Sequence, residues 1–308
     1  MKVFNGIEAF ERIPRPVVTT GTFDGVHIGH QKIIRSLRNV AESVGGESVV
    51  LTFDPHPRSV LQPESQIWLL TTLEEKKRLL AEHGIQNLIV HPFTKEFSRI
   101  TSLEFVRDIL VNRIGTHKLV IGYDHHFGRN REGSFEHLME YGPTYGFEVE
   151  EISALDIDKV NVSSTKIRNA LLLGDLETAR AYLSYDYLLE GTVVPGRKLG
   201  RSLGFPTANL DVSHTRKLIP ADGVYAVWVE VDHVRYRGML NIGLNPTVTE
   251  SGARTIEVNL FDFDRDIYGS QVSVIFKHRI RDEQRFDSVE DLQAQLHQDK
   301  ETTLRMLD

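Results

Sequence analysis

Apolar and polar positions follow two different rhythms along this chain. Val17 to Thr20 is a short run rich in β-branched residues that reads as a strand. After a turn, HQKIIRSLRNVAESVG places Ile33, Ile34, Leu37, Val40, Ala41 and Val44 on one face at helical spacing. SVVLTF then reads as a buried strand, and LTTLEEKKRLLAEHG as a helix stopped at Gly84. NLIVHPF, SLEFVRDILVNRIG and HKLVIG continue as strand, helix and strand, and FEHLMEYG and FEVEEI add a further helix and strand. Strands separated by helices of this length predict βαβ crossovers, hence a parallel sheet with helices on both faces.

The rhythm changes after Gly191. Gly and Pro become frequent in GTVVPGRKLGRSLGFPTANL, IPADGVY and GMLNIGLNPT. Short apolar runs lie between them: VYAVWVEV, VRYRGMLNIG, RTIEVNLFDF and QVSVIFKHRI. Close-spaced short strands with turn signals predict a small antiparallel β-barrel. The last segment, DSVEDLQAQLHQDKETTLRML, reads as a helix, with Ser288 and Asp291 as its capping pair. Two domains are expected, residues 1–183 and 184–308, with the boundary near SYDYLLE.

Composition narrows the chemistry. The 308 residues carry a formal net charge of -7 and no Cys. Disulfides, thiolate zinc sites, iron–sulfur clusters and cysteine nucleophiles are therefore excluded. The acidic balance argues against a nucleic-acid partner, leaving any useful positive charge local. No apolar run reaches the ~18 residues of a membrane helix, and MKVFNGIEAFERIP does not read as a secretory signal. The expectation is a soluble cytoplasmic protein without a membrane partner.

GTFDGVHIGH, Gly21 to His30, lies between the first expected strand and the first helix. An open parallel sheet binds phosphates there, beyond a strand's carboxyl end and at a helix N-terminus. Gly21, Gly25 and Gly29 permit tight turns and close backbone approach. His27 and His30, three apart, share one side of the opening helical turn and suit phosphate oxygens. An equal alternative is that the histidines only cap the helix and the glycines only turn the chain. Far downstream, SSTKIRNAL offers Ser163, Ser164 and Thr165 at a helix start, with Lys166 and Arg168 behind them. Cations in a first helical turn oppose the helix dipole, so an anion is expected nearby.

The second domain carries its own constellation. Gly196, Gly200 and Gly204 alternate with Arg197, Lys198 and Arg201, a flexible basic loop suited to nucleotide phosphates. It contains no Walker A motif. Thr207 and Asn209, two apart on a strand, share a face and are neutral oxygen donors of the kind Mg²⁺ takes. Hydrogen bonding at a turn or sheet edge is the equal alternative for both. Glu257 alternates with Ile256 and Val258 and is expected on the inner face of the barrel. A carboxylate there would act as a general base, while an outward surface position is the alternative.

GTFDGVHIGH, LTFDPHP, GYDHHFGRNREG and SSTKIR together resemble the bacterial bifunctional riboflavin kinase/FAD synthetase family. GRKLGRSLGFPTANL, GVYAVWV, GMLNIGLNPT, IEVNLFDFDRDIYG and IRDEQRFDS resemble its kinase module in the same order. The resemblance implies a Rossmann-like nucleotidyltransferase domain that makes FAD from FMN, followed by a barrel that makes FMN from riboflavin. It implies Mg²⁺ with ATP as co-substrate. It also implies small-molecule partners only (riboflavin, FMN, FAD, ATP), in a monomer or weak oligomer. Carried over residue by residue, it assigns His27, His30, Arg168 and Glu257 to catalysis. Gly21, Phe23, Asp24, Gly25, Gly29, Asp124, Ser163, Ser164 and Thr165 fall to ATP in the first domain; Gly196, Lys198, Gly200 and Arg201 fall to it in the second. Pro55, His56, Pro57 and Arg285 fall to the flavin, and Thr207 and Asn209 to the metal. Two positions depart from the family: His125 where an aromatic residue is commoner, and Asn259 where many members have His. HIGH alone would also fit a tRNA-synthetase relative or a cytidylyltransferase, but no KMSKS-like lysine pair or basic tRNA-binding domain accompanies it. A regulatory flavin-binding protein is the non-enzyme alternative, opposed by intact His27, His30, Thr207, Asn209 and Glu257.

Overall fold

The computed structural model describes the chain except residues 123–125, 153–161, 197–199, 201–202, 213–215 and 245–253. It divides into two compact units, Met1–Ser164 and Thr165–Asp308. No helix among the described residues is long and apolar enough to cross a membrane.

The first unit is a six-stranded sheet of β1 (Lys2–Asn5), β2 (Pro16–Thr20), β3 (Glu47–Phe53), β4 (Asn87–His91), β5 (Lys118–Gly122) and β6 (Glu148–Ile152). All pairs are parallel, in the order β1-β4-β3-β2-β5-β6. The central strands β2 to β5 are buried along most of their length because both faces are covered, whereas the edge strands β1 and β6 are exposed or half-buried at most positions. Val17, Val50, Leu88 and Val120 meet Ile34, Leu37 and Val40 of α1 (Ile28–Ser43) and Leu80 of α3 (Leu73–Glu82). Their neighbours Val18, Val49, Leu51, Ile89, Leu119 and Ile121 meet Phe105, Ile109, Leu110 and Leu138 on the other face. Pro57–Leu61 forms a short α2. The order reverses at β2, so the loop after β2 opens into the crevice where such sheets bind ligands.

Several details differ from the sequence expectation, among them the short helix α2, which was not foreseen. Strand β1 was not foreseen: its four residues, mostly exposed, are too few to show alternation. The helix expected over SLEFVRDILVNRIG begins as one α-helical turn, α4 (Ser102–Glu104), and continues as a π-helix over Phe105–Ile114. Its buried residues Phe105, Val106, Ile109, Leu110 and Ile114 recur every four to five positions, and the wider winding keeps them on one face. The helix near FEHLMEYG is α5 (Phe135–Tyr145).

In the second unit, α6 (Ser164–Leu172, whose first residue ends the first unit) and α7 (Leu176–Leu183) precede the barrel. The barrel comprises β7 (Leu188–Val194), β8 (Ala208–Asp211), β9 (Gly223–Val231), β10 (Val234–Leu244), β11 (Arg254–Leu260) and β12 (Gln271–Arg281). These close antiparallel in the order β10-β11-β8-β7-β12-β9. Leu240 opposite Val258 and Ile242 opposite Ile256 fill the interior. The terminal helix α8 (Val289–Leu307) is capped by Ser288, whose Oγ accepts the Asp291 N–H at 3.0 Å. Its Leu292, Leu296 and Leu304 cover Leu203, Phe205, Met239 and Phe261 outside the barrel.

One ion pair locks this helix to β12. Arg281 Nε and Nη2 donate to both oxygens of Asp299, at 3.0 and 2.8 Å, and Asp299 is 1% exposed. Removing one partner of a buried pair strands the other charge. Asp299→Ala is therefore expected to lower the stability of this unit by about 3 kcal/mol, read from its denaturant midpoint. An unchanged midpoint would show that the pair contributes nothing.

Candidate active sites

The loop after β2 is held under tension. Phe23 (φ 48°), Gly25 (φ 81°) and Val26 (φ 35°) lie in the left-handed region. For Phe23 and the β-branched Val26 that conformation costs about 1–3 kcal/mol each, so surrounding contacts must impose it. The Asp24 carboxylate, 2% exposed, accepts the N–H groups of Leu70 (3.0 Å) and Thr71 (3.2 Å). Gly25 N–H donates to Thr71 Oγ1 at 3.1 Å, and Thr52 Oγ1 donates to Thr22 O at 3.2 Å. Asp24 thus aims its charge at backbone donors and tethers the loop. Phe23 is buried beside Gly21, where a Cβ would come within 3.2 Å of its ring.

The two histidines come together. His27 caps α1, its Nδ1 accepting the His30 N–H at 3.4 Å, so the neutral ring carries its proton on Nε2. The rings of His27 and His30 stack with centroids 3.7 Å apart and 15° between planes. Gly29 makes room for this: a Cβ there would lie 3.2 Å from His27 Cε1 and from Val162 Cγ1. His30 Nδ1 is buried and has no hydrogen-bond partner among the described residues. A native polar atom left so calls for an explanation, and a ligand is one. Burial holds the His30 pKa well below the ordinary imidazole value, with His27 and Lys76 adding repulsion. At neutral pH His30 is uncharged, and the negative potential of a polyphosphate would favour its protonated form.

SSTKIR begins at the same loop through its Ser164. Ser164 Oγ donates to the Asp24 carbonyl at 3.0 Å. Ser163 and Thr165 are exposed beside it, and the first turn of α6 contains no acidic residue. Arg168, in the second unit, is one helical turn beyond Ser164. In LTFDPHP the Asp54–Pro55 peptide is cis, and His56 caps α2 by accepting the Arg58 N–H at 3.1 Å. Pro57 occupies the first position of that helix. Asp124 lies outside the described residues.

In the barrel, Thr207 Oγ1 donates to Glu257 Oε2 at 3.3 Å. Asn209 and Glu257 are directly opposite on β8 and β11, as are Asn241 and Glu257 on β10 and β11. Opposed residues share a face, so Asn209, Glu257 and Asn241 form a polar row across three strands. The expected inner-face position of Glu257 is corrected here. Ile256 (3% exposed) and Val258 (0%) point inward, and the half-buried Glu257 points out of the barrel. An ionised carboxylate inside that apolar interior would lack partners. Asn241 was missed because cross-strand neighbours leave no spacing signal. Two of the loop's glycines are packed tightly: a Cβ at Gly196 would collide with the Asn209 amide of this row, and one at Gly200 with Phe205 O. Lys198 and Arg201 lie outside the described residues. Arg285 is exposed, between Arg281 and α8. Asn259, for which no role was expected, donates Nδ2–H to Pro206 O at 2.6 Å.

A strained, histidine-bearing loop at the switch point of a parallel sheet, followed by a barrel with a carboxylate beside neutral oxygen donors, defines a two-module transferase for phosphate chemistry. The FAD synthetase family model matches residues 10–166 and the riboflavin kinase model residues 183–307. A bifunctional riboflavin kinase/FMN adenylyltransferase from Pseudomonas fluorescens is 38% identical, covering 92% of this chain and 90% of that protein. The protein so described from Listeria monocytogenes is 40% identical, covering 93% and 91%. A solved Streptococcus pneumoniae structure, described as a macrolide-efflux protein, has a TM-score of 0.87 at 35% identity, covering 98% of this chain and 97% of that one. The chain belongs to the bifunctional riboflavin kinase/FMN adenylyltransferase family, with the FAD synthetase module first and the kinase module second.

Proposed function

We propose that the barrel phosphorylates riboflavin and the sheet module then adenylylates the FMN so formed, with the division of labour at residues 1–183 and 184–308. In the first step the 5′-hydroxyl oxygen of riboflavin attacks the γ-phosphorus of ATP, the bond to the bridging oxygen breaks, and ADP leaves. Glu257 takes the hydroxyl proton. In the second step an FMN phosphate oxygen attacks the α-phosphorus of ATP and pyrophosphate leaves. That nucleophile is already an anion, so the site needs alignment and charge stabilisation rather than a base. His27, His30 and Arg168 supply it, with the hydroxyls of SSTKIR and the backbone of Gly21–Gly29 around the phosphates.

The observation that carries this reading is the Thr207–Glu257 hydrogen bond beside Asn209, which joins a proton acceptor to neutral oxygen donors. That donor set fits Mg²⁺, a hard cation that keeps phosphate and water ligands. Bound with ATP, Mg²⁺ would neutralise charge developing on the phosphates. Pro55, His56 and Pro57 border the flavin in the first module, and Arg285 in the second. Asp124, Lys198 and Arg201 complete the nucleotide contacts. The protein acts in the cytoplasm as a monomer or weak oligomer, on small molecules and without nucleic-acid or membrane partners.

Incubation with riboflavin, ATP and Mg²⁺, with flavins separated by chromatography, tests the reading. FMN is expected first and FAD after it, and neither forms when the metal is chelated. Absence of both products with metal present would overturn the proposal in favour of a flavin-binding protein without activity.

A further inference from the structure

Adenylyl transfer brings two anions together, the flavin phosphate and the α-phosphate of ATP. A fixed cation where they meet lowers that repulsion. Helix α3 carries a residue placed for this. The segment before it is pinned to Asp24 by the N–H groups of Leu70 and Thr71. Thr72 and Glu75 close a capping box at its start, with Thr72 Oγ1 accepting the Glu75 N–H at 3.2 Å and Glu75 Oε2 accepting the Thr72 N–H at 2.8 Å. The next residue, Lys76, is only 6% exposed. Lysine is almost never buried to this degree unless paired. Lys76 makes no ion pair with a described residue, whereas its neighbour Lys77 pairs with Glu74 at the surface.

The charged and titratable groups around Lys76 come from three elements. Asp24 belongs to the loop after β2, Asp54 to the loop after β3, and His30 to the first turn of α1. The ammonium, buried just past the segment pinned to Asp24, is thus within electrostatic reach of the histidine loop and of Asp54 in LTFDPHP. Burial pulls its pKa down, and the two carboxylates offset this in part.

We propose that Lys76 binds phosphate in the adenylyl-transfer site, holding oxygens of the flavin or nucleotide phosphate as the two substrates meet between these loops. The inference rests on the assignment of FMN adenylylation to this module. A purely structural role, in which Lys76 only balances Asp24 and Asp54, predicts loss of stability without a change in substrate dependence.

The test is FAD formation from supplied FMN and ATP by the full-length protein, Lys76→Met and Lys76→Arg. The Met variant is expected to lose about 10²-fold in kcat/KM, the effect of removing one preorganised charge-stabilising donor. A raised KM for FMN assigns the contact to the flavin phosphate, and a raised KM for ATP assigns it to the nucleotide. The Arg variant is expected to recover most of the activity. The pH profile separates charge from packing. Only the charged lysine works, so wild-type activity falls as pH rises through a pKa below the ordinary ~10.4. Arginine does not deprotonate, so Lys76→Arg moves that alkaline limb upward. The proposal is overturned by wild-type kcat/KM in Lys76→Met. It is equally overturned by an Arg variant as inactive as Met with its limb unmoved. If the variants fail to fold, wild-type FAD formation that stays flat through the ordinary lysine range overturns it. A wild-type protein that makes FMN but no FAD would instead remove the adenylylation assignment itself.

Discussion

Replacing Glu257 by Gln is expected to slow FMN formation by about 10²–10⁴-fold, the usual contribution of a positioned general base. FAD formation from supplied FMN should keep its wild-type rate. Gln keeps the shape of Glu and an oxygen that still accepts the Thr207 hydroxyl, which lies 3.3 Å from Oε2. What it loses is the basic oxygen that takes the proton from the ribityl hydroxyl. The strand should survive, because Glu257 is half-buried on the outside of the barrel while Ile256 and Val258 hold the interior. KM for riboflavin should change little, since proton transfer belongs to the transition state. The check is steady-state kinetics of both half-reactions on one preparation. Wild-type FMN formation would remove Glu257 from the chemistry, and loss of both activities in folded protein would refute two separate sites.

That prediction depends on a side chain whose residue type was legible and whose orientation was not. Strand alternation separates Glu257 from Ile256 and Val258 but does not say which set faces inward. Here the outside of the barrel is partly covered as well. Helix α8 covers Met239, and Asn259 opposite it is also buried, so burial alone does not mark the interior. The parallel sheet read more directly, because its central strands β2 to β5 are buried on both faces and carry short runs of apolar, mostly β-branched residues. The pairing of His27 with His30 was legible too, since three residues in an opening helical turn bring two rings to one side. Lys76 was hidden in LEEKKRLL, which reads as a solvated helix face. Its burial follows from the attachment of Leu70 and Thr71 to Asp24, a contact across more than 40 residues for which no local spacing provides a signal. Asn241 was hidden for the same reason, through strand register.

His30→Ala should abolish FAD formation, with a loss of at least about 10²–10³-fold, while riboflavin phosphorylation continues. The ring is stacked 3.7 Å from His27, and its buried Nδ1 has no partner among the described residues. Alanine removes both the stack and the donor offered to the phosphates. Helix α1 should still start correctly, because the cap runs from His27 Nδ1 to the His30 backbone N–H, which alanine retains. The substitution also carries a stability signature. The folded pKa of His30 is lowered, so the unfolded chain binds this proton more readily. The stabilising contribution is therefore present above the ordinary imidazole value of about 6.5 and is lost as pH falls through and below it. In His30→Ala that share of the acid sensitivity should disappear, flattening the denaturant midpoint between neutral and mildly acidic pH relative to wild type. An alanine variant that still makes FAD at the wild-type rate would leave His30 as a packing residue. One that loses FAD formation with unchanged acid sensitivity would keep the catalytic role and contradict the buried, uncharged state.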